Sequence, residues 1–143
     1  PADLVARVRT VKSFLTYSSG SPFQGAVALG LGLPTEFFTS IADTLRRKRD
    51  LLSEGLLSAG LTVNQPQGGY FLTADTSAIG VTDATTFARQ LPELVGVAAI
   101  PVPVFCHADG AVRTRSLLRF AFCKRFDVLE DAAARLSTLR RKL

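Results

Sequence analysis

The sequence contains no apolar run of eighteen or so residues, so no segment reads as a transmembrane helix and no membrane partner is expected. Its opening, PADLVARVRT, lacks the basic-then-apolar pattern of a secretory signal. It also opens without Met, so a piece of something longer is expected. Cysteine is scarce: Cys106 and Cys123 are too few for a disulfide framework, and free thiols in a reducing cytoplasm are the plain reading. The single histidine, His107, stands beside Cys106 in FCHADG. One Cys–His pair without a second ligand pair matches zinc spacing poorly, so no metal site is expected. No zinc-finger or RNP pattern is present, and aromatics are not interleaved with the basic runs, which argues against a nucleic-acid partner.

What is present describes an ordinary globular chain. Its 143 residues suffice for one domain with a proper core, and 47% hydrophobic content can fill it. The net charge of +5 is concentrated in RRKR (46–49) and RRK (140–142). Both runs fall on helix-like stretches, where consecutive cations point in several directions and cover a solvated side.

Hydrophobic spacing predicts a helix over 3–15, with Asp3 as a possible cap and Leu4, Val5, Val8, Val11 and Leu15 at helical intervals. A hydroxyl-rich loop follows, and Pro22 is placed to begin a second helix, QGAVALGLG. This helix is apolar nearly all round and is expected to be deeply packed. Gly32 and Pro34 end it. A long amphipathic helix then runs from Thr35 to a stop at Gly60, with Phe37, Phe38, Ile41, Leu45, Leu52 and Leu56 as its buried stripe. LTVNQPQGGYFLTAD reads as two strands around a PQGG turn, with Tyr70 and Phe71 taken as core. TDATTFARQLPELV is a short helix capped by Thr82 or Asp83. GVAAIPV (96–102) reads as a buried strand, PVFCHADGAV as a loop, SLLRFAFCK as the last strand and VLEDAAARLSTLRRKL as a closing helix. The order predicts an α+β fold without repeats.

One stretch raises a chemical question. In LLRFAFCKR (117–125), Leu118, Phe120 and Phe122 point one way at period two, and Leu117, Arg119, Ala121 and Cys123 the other. Arg119 is thus a permanent cation between small side chains. Burying a guanidinium is costly without an anion to pair with it. On residue chemistry alone an internal ion pair is the commoner arrangement, and a ligand anion is the alternative.

Four stretches in order, TYSSGSPFQGAVALGL, PQGGYFLTAD, VGVAAIPVPVFC and LLRFAFCKRFDVLEDAAARL, resemble the C-terminal part of class I/II aminotransferases. These are the fold-type I pyridoxal-phosphate enzymes, and the resemblance is to the kynurenine–oxoglutarate, glutamine and N-succinyldiaminopimelate branch. It implies a small α+β domain at 34–143, with a short, mostly antiparallel sheet covered by helices and a long connecting helix at its N-terminal end. It implies that 1–33 trails from the large, cofactor-binding domain. The resemblance also implies that Arg119 binds the substrate carboxylate, and that Tyr17 and Ser18 reach toward the cofactor site of a homodimer partner; a helix-capping loop, which Ser and Gly suit equally, is the alternative for TYSSGS. By the same resemblance the substrates are an amino acid and a 2-oxo acid, and the cofactor is pyridoxal 5'-phosphate. The lysine that forms the Schiff base precedes this region in the family. No catalytic residue is expected here, and this chain alone is expected to be inactive. A stand-alone basic binding domain, with Arg119 in an anion site or an ion pair, is the competing expectation.

Overall fold

The computed structural model describes residues 1–17 and 20–143. Along them run α1 (Ala2–Leu15), α2 (Ser21–Leu31), α3 (Thr35–Ser58), β1 (Thr62–Asn64), β2 (Phe71–Asp75), α4 (Ala84–Val95), β3 (Ile100–Pro101), α5 (Ala108–Arg113), β4 (Leu117–Ala121) and α6 (Phe126–Leu136). Short 3-10 turns lie at Ser77–Ile79, Val102–Phe105 and Leu139–Arg141. The chain divides into two compact units, 1–39 and 40–143.

In the second unit the four strands form one antiparallel sheet in the order β1-β2-β4-β3. The period-two alternation read in LLRFAFC holds. Leu118, Phe120 and Phe122 are buried with Leu72 and Ala74 of β2, while Arg119 and Ala121 are only half-buried. Against this inward face lie Leu52 and Leu56 of α3, Phe87, Leu91 and Val95 of α4, and Leu129 and Leu136 of α6. The residues at 55 and 133 show how tightly two of these helices approach. A Cβ added at Gly55 would stand 2.6 Å from the Cβ of Ala133.

The helix ends follow local chemistry. Past α3, Gly60 takes a φ of 86°, its N–H reaches the Leu57 carbonyl, and that of Leu61 reaches Leu56. This is the Schellman arrangement, which a Cβ would strain. Asp83 caps α4, its Oδ1 accepting from the N–H groups of Thr85 and Thr86 at 2.9 and 3.1 Å. Arg49 ties α3 to the turn between β1 and β2 by donating Nη1–H to the Pro66 carbonyl at 3.2 Å. Cations of the RRKR run, Arg47 and Lys48, lie over the Phe126 ring at 5.0 and 5.2 Å. Among the described residues, no single helix is long and apolar enough to cross a membrane.

Several elements differ from the sequence expectation. Only Ile100 and Pro101 of the anticipated strand at 96–102 pair with the sheet: Gly96 is still the left-handed cap of α4, and after Pro101 the chain enters a 3-10 turn whose Pro103 has no N–H to extend the ladder. The anticipated loop after it is a 3-10 turn followed by α5. The closing helix begins at Phe126 and gives way after Leu136 to a 3-10 turn. Asp3 sits in the first turn of α1, but Pro1 occupies the cap position and no side chain caps it.

The larger corrections concern burial. Helix α2, expected to be deeply packed, has no buried residue, and neither has α1. Apolar composition marks a helix that needs a cover, and the described residues of 1–39 leave both helices uncovered. The stripe of α3 is likewise buried only toward its C-terminal end: Phe37, Phe38 and Ile41 are exposed, Leu45 is half-buried, and Leu52 and Leu56 are in the core.

Candidate functional site

The face of the sheet opposite the core carries the polar chemistry. Strand register places Asn64, Thr73, Arg119 and Ile100 in one row across β1, β2, β4 and β3. Paired residues in antiparallel strands share a face, so these four side chains do too. Asn64 donates from Nδ2 to the Thr73 hydroxyl at 3.4 Å. Diagonal to Arg119 on β2 stand Phe71, opposite Ala121, and Asp75, opposite Leu117. Small Ala121 leaves room for the Phe71 ring. The 3-10 turn after β3 ends at Phe105.

The Arg119 guanidinium carbon lies 4.1 Å from the centroid of Phe71 and 4.2 Å from that of Phe105. Its Nε is buried without a hydrogen-bond partner. No carboxylate among the described residues lies within ion-pair distance: the bridges formed are Arg46–Asp43, Arg49–Asp50, Arg125–Asp127 and Arg135–Asp131. The acid nearest in register, Asp75, is engaged elsewhere. Its Oδ1 accepts from the Ser77 N–H at 2.8 Å. Partial burial pushes the Asp75 carboxyl up, but hydrogen bonds from Ser77 and the Ser116 side chain outweigh it and leave the group below its ordinary 3.8. Among the described residues Arg119 is therefore a cation without a partner carboxylate, its Nε buried and unpaired, which leaves the two Nη nitrogens as the edge a ligand anion would meet. A planar fork of this kind matches a carboxylate with two parallel hydrogen bonds.

The other sequence candidates are placed as follows. Tyr17 lies just past α1 in a left-handed backbone conformation, φ 49°, with its side chain 93% exposed. Ser18 lies outside the described residues. The lysines occupy surface positions: Lys12 and Lys124 are exposed, Lys48 covers Phe126, and Lys142 donates to the Leu94 carbonyl at 2.6 Å. Cys106 is half-buried and accepts a weak bond from the Thr114 hydroxyl at 3.6 Å, while Cys123 is exposed. Among the described residues no three of His, Cys, Asp and Glu gather as a metal site would require.

Two aromatic residues of the site escaped the sequence reading. Phe71 was expected in the core and is instead 36% exposed on the open face. The usable signal was the small Ala121, two residues from Arg119, which leaves a gap for a ring from the neighbouring strand. Phe105 stands in a 3-10 turn, which has no periodicity to read.

The order of elements has counterparts among known proteins. The profile of the family described as aminotransferase class I and II matches residues 1–136. The chain belongs to that family. This aminotransferase chain is 45% identical over 145 residues to the probable N-succinyldiaminopimelate aminotransferase DapC of Mycobacterium tuberculosis, an alignment covering 97% of this chain and 36% of that protein. It is 31% identical to kynurenine–oxoglutarate transaminase 3 of Rattus norvegicus, over 92% of this chain and 33% of that one. The solved structure of N-succinyldiaminopimelate aminotransferase from Mycobacterium tuberculosis superposes with a TM-score of 0.78 at 46% identity, across 97% of this chain and 36% of that one. The aminotransferase chain thus spans about a third of the length of the relatives it matches, and its α+β sheet-and-helix architecture is that of fold-type I aminotransferases.

Proposed function

We propose that this chain is the C-terminal part of a pyridoxal-phosphate-dependent aminotransferase that moves an amino group from an amino acid to a 2-oxo acid, and that Arg119 grips the carboxylate common to both substrates. The observation that carries this reading is the unpaired guanidinium on the open sheet face, with Asp75 turned away to Ser77. An arginine kept for structure would be expected to hold a protein carboxylate at that place.

The residues present do not make a holder for the cofactor. Binding it through an amine calls for a desolvated lysine with a lowered pKa in an apolar pocket, and each lysine here is exposed or engaged at the surface. The cofactor, when bound, supplies the electron sink for the reaction, and the lysine that holds it belongs to a part of the protein outside these residues. The chain's own contribution is recognition and orientation. The Nη1–Nη2 edge of Arg119 fixes the carboxylate at two points and so sets the direction of the remaining substituents at the α-carbon.

Within this reading residues 1–33 trail from a large domain, 34–143 form the small domain, and the active protein is a cytoplasmic homodimer. Tyr17 and Ser18 would then lie on the segment that approaches the partner's cofactor.

Arg119→Lys in the full-length enzyme tests the proposal. Lysine keeps the charge and loses the fork, so kcat/KM for the amino acid should fall about ten- to a hundredfold, the value of a charge-assisted hydrogen bond. Amines without a carboxylate should be used nearly as before, and the melting temperature should hold. Equal losses for both substrate types with a lowered melting temperature would show a structural arginine instead.

A further inference from the structure

An arginine that must catch a carboxylate has a difficulty of its own. Its side chain is long and loses much rotamer freedom when it settles into one geometry, which is why exposed arginine–carboxylate pairs often add little. A receptor arginine works better if the freedom is removed before the ligand arrives. The surroundings of Arg119 do this from two separate elements. Phe71 stands on β2 opposite the small Ala121, and Phe105 ends the turn that follows β3, whose Ile100 pairs with Arg119. Both ring centroids stand about one stacking distance from the guanidinium carbon, at 4.1 and 4.2 Å. The two rings reach the same guanidinium from a strand and from a 3-10 turn.

Two further details fit a positioning role. Phe105 is 58% exposed, so burial in a core does not explain its place, and Arg119 is what its ring meets. The Nε of Arg119 is shut from solvent without a partner. That closes the Nε–Nη edge of the fork and leaves the Nη1–Nη2 edge as the one a carboxylate can approach.

We propose that Phe71 and Phe105 are positioning residues that clamp the Arg119 guanidinium plane and present its Nη1–Nη2 edge to the incoming carboxylate. The proposal rests on the reading of Arg119 as the carboxylate-binding residue. The rings act through Arg119 and touch no reacting atom. Since the grip is made in the bound state and kept through the reaction, loss of a ring should weaken binding and leave the chemical step alone.

The test is a set of single variants in the full-length enzyme, Phe71→Leu, Phe105→Leu and Phe105→Tyr, with Arg119→Lys alongside. Each Leu variant should raise KM for the amino acid about three- to thirtyfold, the range set by loss of one cation–π contact. Their kcat should stay within about twofold of the parent's. Phe105→Tyr keeps a π face and should restore the parent KM. A spectroscopic readout accompanies the kinetics. In the full-length enzyme with 15N-labelled arginine, the Nε–H resonance of Arg119 should be displaced by ring currents, and Phe105→Leu should remove part of that displacement.

If both Leu variants keep the parent KM while Arg119→Lys abolishes the preference for carboxylates, the clamp is wrong and the role of Arg119 stands. An Arg119→Lys variant that keeps its carboxylate preference would overturn the role of Arg119, and the clamp with it. A fall in kcat at unchanged KM in the Leu variants would also overturn the clamp. So would an unmoved Arg119 resonance in Phe105→Leu.

Discussion

Asp83 shows what one side chain does for a helix. Its Oδ1 accepts from two backbone N–H groups at the start of α4, and its Oδ2 from the Thr86 hydroxyl at 2.6 Å. The Thr86 side chain and backbone are the main reasons its carboxyl is held below 3.8. Asp127 is held below that value chiefly by the hydrogen bond from the Arg125 side chain. For a carboxyl depressed in the folded chain, the stabilisation is complete above the unfolded value and disappears as pH falls through the folded one. The stabilisation that Asp75, Asp83 and Asp127 contribute should therefore be lost as pH falls below about 4. Asp83→Ala should lower the melting temperature at pH 7, and thermal scans should show the gap to the parent closing as pH drops below that point. Asp83→Asn should keep most of the cap at pH 7, because an amide oxygen also accepts from the N–H groups. A gap for Asp83→Ala that stays constant into strong acid would refute the ionised cap. The same scale shows how much of the site was legible. Arg119 stood out because a cation breaks an apolar alternation, whereas its lack of a protein anion depends on where the Asp75 side chain turns, which no spacing reveals.

At the level of elements, the meeting of α3 and α6 depends on a missing side chain. A methyl at Gly55 would lie 2.6 Å from Ala133 Cβ and 2.8 Å from its Cα, so backbone as well as side chain would have to give way. Gly55→Ala should cost about 1–3 kcal/mol, the usual range for overpacking, despite alanine's better helix propensity. Gly25→Ala in α2 is the matched control, since nothing lies within 4 Å of a Cβ there. That change should raise helix content and leave the melting of the 40–143 unit where it was. Circular dichroism and thermal denaturation of the two variants give the comparison. Helices were the most legible elements because their ends carry local signals: Asp83 before α4 and Gly60 after α3 act on the few residues around them. The sheet was less legible in part. β2 and β4 alternate along five residues each, but β3 is cut to two by prolines, and an apolar run with prolines resembles a buried strand until its pairing is known.

Across the whole molecule, protection and composition are out of step. The apolar α2 and the apolar side of α1 are exposed, while the core belongs to residues 52–139. Amide exchange in the isolated chain should be fast in α1 and α2 and slowest in β2, β4, α4 and α6. An uncovered apolar surface of this kind favours association, so sedimentation should show mass rising with concentration. A monomer with its best-protected amides in 1–33 would contradict both expectations. The burial of α2 was misread because composition reports a need for cover without naming what supplies it. The isolated chain should also take up no pyridoxal phosphate at one unique lysine. Borohydride trapping followed by peptide mapping checks this, and a stoichiometric adduct at a single site that supports turnover would overturn it.

The prolines that shorten β3 also bear on how far such association can go. A sheet grows into a filament by offering a neighbour a row of free N–H and C=O groups along its rim. The β3 rim is two residues long, and the second is Pro101, which has no N–H to give. The rim at β1 is three residues long. Neither gives an arriving strand enough rungs to hold its register. Chains that cluster through their exposed helices should therefore remain dispersible assemblies, with no seeded fibril growth from this sheet.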